Sequence, residues 1–215
     1  MCRKSNYKLV FASLLFLLFH SCNIENEKST SNDVKNINQD SLAFELCQIY
    51  GFDQGIRSGF FPSKNKPKGL HMGWSLILAV DTVNFRKIVA FVKKHGFPSK
   101  KLLGEDNYSH ECVEAAATAV LLHNPHRLVN EKEYLELFLS EVDRGNLKIE
   151  ALIAFLDKYY VIRQDEYGNK KLLYGSLFGK PCSYNREKSD SARAVIGLPP
   201  LPDSMFVECK TIPVN

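Results

Sequence analysis

Asp53, Gln54 and Arg57 fall within about one helical turn of each other, where the first amphipathic stretch of the sequence ends. A carboxylate, an amide and a guanidinium at that spacing can grip a polar ligand. His123, seventy residues further on, can add a proton donor or acceptor, and Tyr174 a phenol. The same residues also read as structure. Arg57 follows Asp53 by four positions, the spacing of a helical ion pair, and a buried polar network that pins the first helix to a hairpin needs no substrate. With no nucleophile or metal signature beside them, the structural reading leads. The competing reading is a hydrolase-like enzyme of small molecules using Asp53, Arg57, His123 and Tyr174.

Other motifs are thinner. His123-Asn124-Pro125-His126 offers an HxxH, but zinc needs more ligands at suitable spacing and no HExxH is present. Imidazoles close to a helix C-terminus are also favoured by its dipole. No metal and no cofactor are expected. There is no Gly-rich phosphate loop and no G-x-S-x-G. His71 beside Met72-Gly73-Trp74 could line a groove, although a lone Trp among apolar neighbours is more often core. Lys64, Lys66 and Lys68 read as a solvated loop rather than a binding patch.

The elements that must position these residues are mostly helices. One runs from about Ser41 into the fifties, with Asp40 as its cap. Leu70–Val80 is apolar and leans to helix, leading into Asp81 as the N-cap of a clear helix with Phe85, Ile88, Val89 and Val92 on one face, stopped at Gly96 and Pro98. A helix from about Ser109 buries Val113, Ala116, Ala117 and Val120 and ends at Asn124-Pro125. Asn130 with Glu133 reads as a capping box opening the next, which carries Leu135, Phe138, Leu139 and Val142 and ends at Gly145. A further helix carries Ile149, Leu152, Ile153, Leu156 and Tyr160. Residues 161–164 and 171–174 then flank Asp165-Glu166-Tyr167-Gly168-Asn169 like the arms of a short β-hairpin. The expected fold is mainly α, a helical bundle with one short hairpin and an irregular C-terminal tail packed back on it.

The chain starts with an address. Arg3, Lys4 and Lys8 precede an apolar run, Leu9–Phe19, and Ser21 stands before Cys22. A basic start, a short apolar stretch and a small residue make a secretory signal over residues 1–21. The run is too short to span a bilayer, which takes roughly 20 apolar residues. Cys22 sits where a lipidated cysteine does, although Phe19 and His20 make a loose lipobox. Each buried CH₂ of an acyl chain contributes about 0.8 kcal/mol, so two or more chains hold a domain on a membrane. Residues 22–40 are almost all polar and read as a disordered tether. One helical domain over 41–205 and a short tail over 206–215 follow. The expectation is a membrane-anchored lipoprotein of the cell envelope, secreted across the inner membrane, with an unknown ligand or protein partner.

Net charge is +4, and three of the 28 basic residues lie in the leader, which has no acid; the remainder carries +1. That balance gives no argument for nucleic acid. Besides Cys22, the cysteines after the leader are Cys47, Cys112, Cys182 and Cys209. An oxidising envelope permits disulfides, and four cysteines allow three pairings. Cys47 and Cys112 fall on helices and look like small core residues, whereas Cys182 and Cys209 flank the tail and could staple it.

Taken in order, Asp53-Gln54-x-x-Arg57, Asp81-x-x-Asn84, Gly96-Phe97-Pro98, His123, Tyr174-Gly175 and Arg193 followed by Ile196-Gly197-Leu198-Pro199-Pro200-Leu201 resemble a bacterial family, domain of unknown function 6624. The resemblance covers roughly 43–205 and implies architecture more than activity, since the family brings no established reaction. The chain departs from it at Leu122, where the family has Gln, at Ser176-Leu177 after Tyr174-Gly175, where it has Thr-Gln, and at Asp157-Lys158, where it has Asp-Arg.

Overall fold

In the computed structural model, residues 31–58 and 73–210 are described, with side chains from Asn38 onward. The signal segment, Cys22, the lysine loop and His71 lie outside the described residues. The architecture is helical: α1 (Ser31–Ser58), α2 (Gly73–His95), α3 (Lys100–Leu103), α4 (Glu105–Tyr108), α5 (Glu111–Glu114), α6 (Ala116–His123), α7 (Pro125–Asn130), α8 (Lys132–Asp143), α9 (Ile149–Val161) and α10 (Arg186–Val195). The compact body begins at Ile37. Among the described residues no helix is long and apolar enough to cross a membrane.

The apolar stripes do what their period requires. Leu42, Leu46 and Ile49 of α1 are buried against Phe85, Ile88, Val89 and Val92 of α2, Val113 of α5, Ala116, Ala117, Val120 and Leu121 of α6, Phe138 of α8, and Leu152, Phe155 and Leu156 of α9 in one core. Ala116 and Ala117 are fully sealed, and their small side chains let α6 lie close along α2, with α9 packed on α6, α7 and α8.

Several expectations change. Asp40 does not start α1, which begins at Ser31 and takes in the polar stretch read as tether over 31–40. Gln39 donates to the Leu102 carbonyl and Asp40 accepts from Asn107, which ties residues 39 and 40 of the helix to the body. The helix expected from Ser109 arrives in two pieces, α5 and α6, the second stopped where Pro125 opens α7 as its first residue. The Asn130–Glu133 capping box does not form. Glu131 is the cap residue of α8 without a side-chain cap bond, and its carboxylate instead accepts from Arg127 at 3.0 Å. Gly96 does end α2, at φ 89°, and the Phe97 N–H beyond it is taken by the buried carboxylate of Glu141 at 2.8 Å.

The β-hairpin is also corrected. Residues 161–174 form a single antiparallel bridge, Gln164 to Lys170, with no strand on either side. The Asp165 carboxylate takes the N–H groups of Tyr167 and Asn169, so the turn is held from its own side chain. The following residues leave the ladder because the Leu173, Tyr174 and Ser176 N–H groups are claimed by Asp157 of α9. The C-terminal region is more ordered than its Gly and Pro content implies, with α10, two 3₁₀ turns and a parallel bridge between Cys182 and Val207.

All four of these cysteines are oxidised, as Cys47–Cys112 and Cys182–Cys209. Cys47 and Cys112 are therefore a covalent clamp between α1 and α5 rather than two free core thiols. The second bond staples the C-terminal segment.

Candidate functional site

Three helices, α1, α2 and α6, meet at one group of polar side chains. Asp53 on α1 faces the core and is fully buried, which a carboxylate tolerates only with partners. It has three. Arg57, one turn on, donates through Nη1 to Oδ1 at 3.0 Å, and Gln54 donates through Nε2 to Oδ2 at 2.8 Å. His123, the last residue of α6, places Nδ1 2.9 Å from Oδ2. Arg57 also reaches Asp81 on α2, with Nη2 2.5 Å from Oδ1. Its guanidinium thus bridges two buried carboxylates.

Asp53, Gln54, Arg57 and His123 are brought together. The i, i+4 pair of the structural reading is present, but it pins α1 to α2 and α6, not to a hairpin. Tyr174 belongs elsewhere. It is buried with its ring 6.3 Å from that of Tyr160; its N–H goes to Asp157 and its carbonyl accepts from Arg193 at 2.7 Å. Asp157, fully buried and taking three backbone N–H groups, and Arg193, which also donates to the Pro199 carbonyl, organise that second network around backbone.

Asp81 was expected as a helix cap. It lies in the middle of α2, which starts eight residues earlier, at Gly73. The signal was in the sequence. Ile77, Asp81, Asn84, Phe85 and Ile88 share one face, so Asp81 is a carboxylate on an apolar stripe, which requires a partner.

The polar group forms one side of a cleft of about 580 Å³. Trp74, Ile77 and Leu78 of α2, Leu122 of α6, Pro125 of α7 and Ile162 after α9 give it an apolar wall. Arg57, Asp81, His123 and Lys158 supply the polar atoms. Arg57 and His123 keep 21% and 29% of their side-chain surface exposed, so both are anchored in the body and open to the cleft. Trp74, which a core reading expected inside, is 74% exposed at its edge.

One oxygen each from Asp53 and Asp81 and one ring nitrogen of His123 lie within 4.8 Å of one another, a spacing a metal ion could span. Arg57 supplies a cation to both carboxylates, and His123 already spends Nδ1 on Asp53. Arg57 therefore already occupies the carboxylate oxygens that face each other, and its single charge offsets one of the two acids. His126, the other half of the HxxH, is not in the group; burial, then the neighbouring Arg127, lowers its pKa.

With Nδ1 engaged by a carboxylate, the His123 ring is fixed and Nε2 is the nitrogen left for a molecule in the cleft. The arrangement can hold a small amphipathic molecule against the apolar wall and exchange a proton with it. No known protein family, curated protein or solved structure matches the chain.

Proposed function

We propose that the chain is an envelope lipoprotein, anchored through Cys22, whose helical body is a binding module that takes a small amphipathic molecule in the cleft beside His123. The likeness of its polar landmarks to domain of unknown function 6624 belongs to the same proposal. One observation carries the reading: an apolar wall and a fixed polar rim share a single opening of about 580 Å³, within the size range of small-molecule sites. The rim is preorganised, because Arg57 and His123 are held by Asp53 and Asp81 before any ligand arrives.

Trp74 is the only tryptophan in the chain and stands at the cleft, so its fluorescence reports occupancy. A panel of small amphipathic molecules should give saturable changes in Trp74 emission. Leu78→Glu, which puts a charge on the exposed apolar wall without touching the core, should abolish them. Saturable changes that survive Leu78→Glu would count against the cleft. For the anchor, cells supplied with labelled fatty acid should label the native protein and not Cys22→Ser.

A second reading has its own observation, the contact between the buried Asp53 carboxylate and His123 Nδ1. A carboxylate that fixes an imidazole this way lets Nε2 act as general base or acid, here on a water or hydroxyl within the cleft. Turnover of small esters or amides that disappears in His123→Ala, with folding intact, would replace the binding module by an enzyme.

A further inference from the structure

Four polar groups beside the cleft are partnered by one another: Asp53 and Asp81 by Arg57, and Asp53 again by His123. Lys158, on α9, is different. It lines the same cleft and is half-buried, yet it makes no salt bridge among the described residues. The contact it does make is with the face of Phe178, 5.4 Å from Nζ to ring centroid, and among the described residues its ammonium has no counter-ion.

Its position also matters. Lys158 follows Asp157, whose carboxylate is fully buried and occupied by three backbone N–H groups, so that acid is spent on backbone. Ile162, four residues on and just past the end of α9, adds to the apolar wall. An ammonium with no carboxylate partner among the described residues therefore stands at the border of an apolar surface built from Trp74, Ile77, Leu78 and Ile162.

We infer that the occupant is an amphipathic anion, an apolar body of chain or ring with one carboxylate-like head, and that Lys158 receives the head while the body lies along that wall. Lys158 is then the residue that sets specificity. This rests on the cleft being a binding site, and it adds the charge of the ligand. A neutral amphiphile gains the wall alone. A cationic one meets the charge of Lys158, since that of Arg57 is held by Asp53 and Asp81.

The test uses three probes with the same chain and different heads: decanoate, decanol and decyltrimethylammonium, titrated into the purified protein with Trp74 emission as the signal. Native protein should bind decanoate at least tenfold more tightly than decanol, and the cationic probe most weakly. Lys158→Met, close in length and without charge, should bring decanoate to the level of decanol, and Lys158→Arg should restore the preference. Circular dichroism of each variant confirms that the helices are intact. Equal affinity for decanoate and decanol in the native protein, or a preference that survives in Lys158→Met, overturns the inference while leaving the cleft a binding site. No binding of any probe overturns both.

Discussion

Arg57 stands between Asp53 and Asp81, with Nη1 3.0 Å from the first carboxylate and Nη2 2.5 Å from the second. One guanidinium on α1 thus pairs with a buried acid on its own helix and with another on α2. Removing it leaves two carboxylates facing each other out of water, which costs far more than the loss of a surface pair. Arg57→Met should destabilise the fold by about 3 kcal/mol, read as a drop in thermal midpoint of about 10 °C. Adding Asp81→Asn to that variant should recover part of the loss. A single variant as stable as the native protein would show that the guanidinium does not carry the two charges.

His123 tests the opposite situation. Asp53 keeps Arg57 and Gln54 if the imidazole is lost, so no buried charge is stranded. His123→Ala should cost only about 1 kcal/mol by denaturant titration, the scale of one hydrogen bond. Whatever the cleft does should suffer much more than stability does. A loss of several kcal/mol would place His123 among the structural residues.

The two disulfides close chain segments of different length, 65 residues for Cys47–Cys112 and 27 for Cys182–Cys209. In the chain-entropy account these constrain the unfolded ensemble by about 4 and about 3.5 kcal/mol. Cys47→Ser with Cys112→Ser should therefore lower the unfolding free energy by several kcal/mol. A reductant should lower the thermal midpoint of the native protein and leave the variant lacking all four cysteines unchanged.

Stability should also fall at both ends of the pH scale for identifiable reasons. Burial opposes the charge of Asp165, but hydrogen bonds from Tyr184, the Asn169 amide and the Asn169 and Tyr167 N–H groups outweigh it and hold its pKa at about 2. A depressed carboxylate stabilises the fold above its ordinary pKa near 4, and that contribution is lost as pH falls toward 2. Asp165→Asn should flatten the acid limb of a stability–pH curve over that interval. Tyr174 behaves the other way. Burial first, then Tyr160 and Asp157, raise its pKa well above the usual 10. Above pH 10 the unfolded chain ionises this phenol before the folded one, so stability declines, and Tyr174→Phe should remove that part of the alkaline limb.

The helical class and the buried faces could be read from the sequence because period and burial coincide. Val113, Ala116, Ala117 and Val120 were expected inside and are inside. Element ends were less legible, since they depend on partners distant in sequence. Asp40 looked like a cap because nothing local shows that Asn107 will meet it, and 161–174 looked like a hairpin because nothing local shows that Asp157 will take its N–H groups. Of the candidate site, Asp53, Gln54, Arg57 and His123 were found by residue type. Asp81 was seen but assigned to a helix start. Lys158 carried no local signal beyond its place after Asp157, because its neighbours in the cleft come from α1, α2, α6 and α7. Tyr174 was grouped with the site by order along the chain, which does not report distance.

The Cys47–Cys112 bond has a consequence for how the protein responds to a protease. It joins the helix bearing Asp53 and Arg57 to the part of the chain that continues to His123. Hydrolysis of any single peptide bond between residues 47 and 112 would leave one covalent molecule, visible as two bands on a gel only after reduction. The cut protein would keep α1 beside its partners, so the ion pairs at the cleft would outlast the continuity of the backbone that built them.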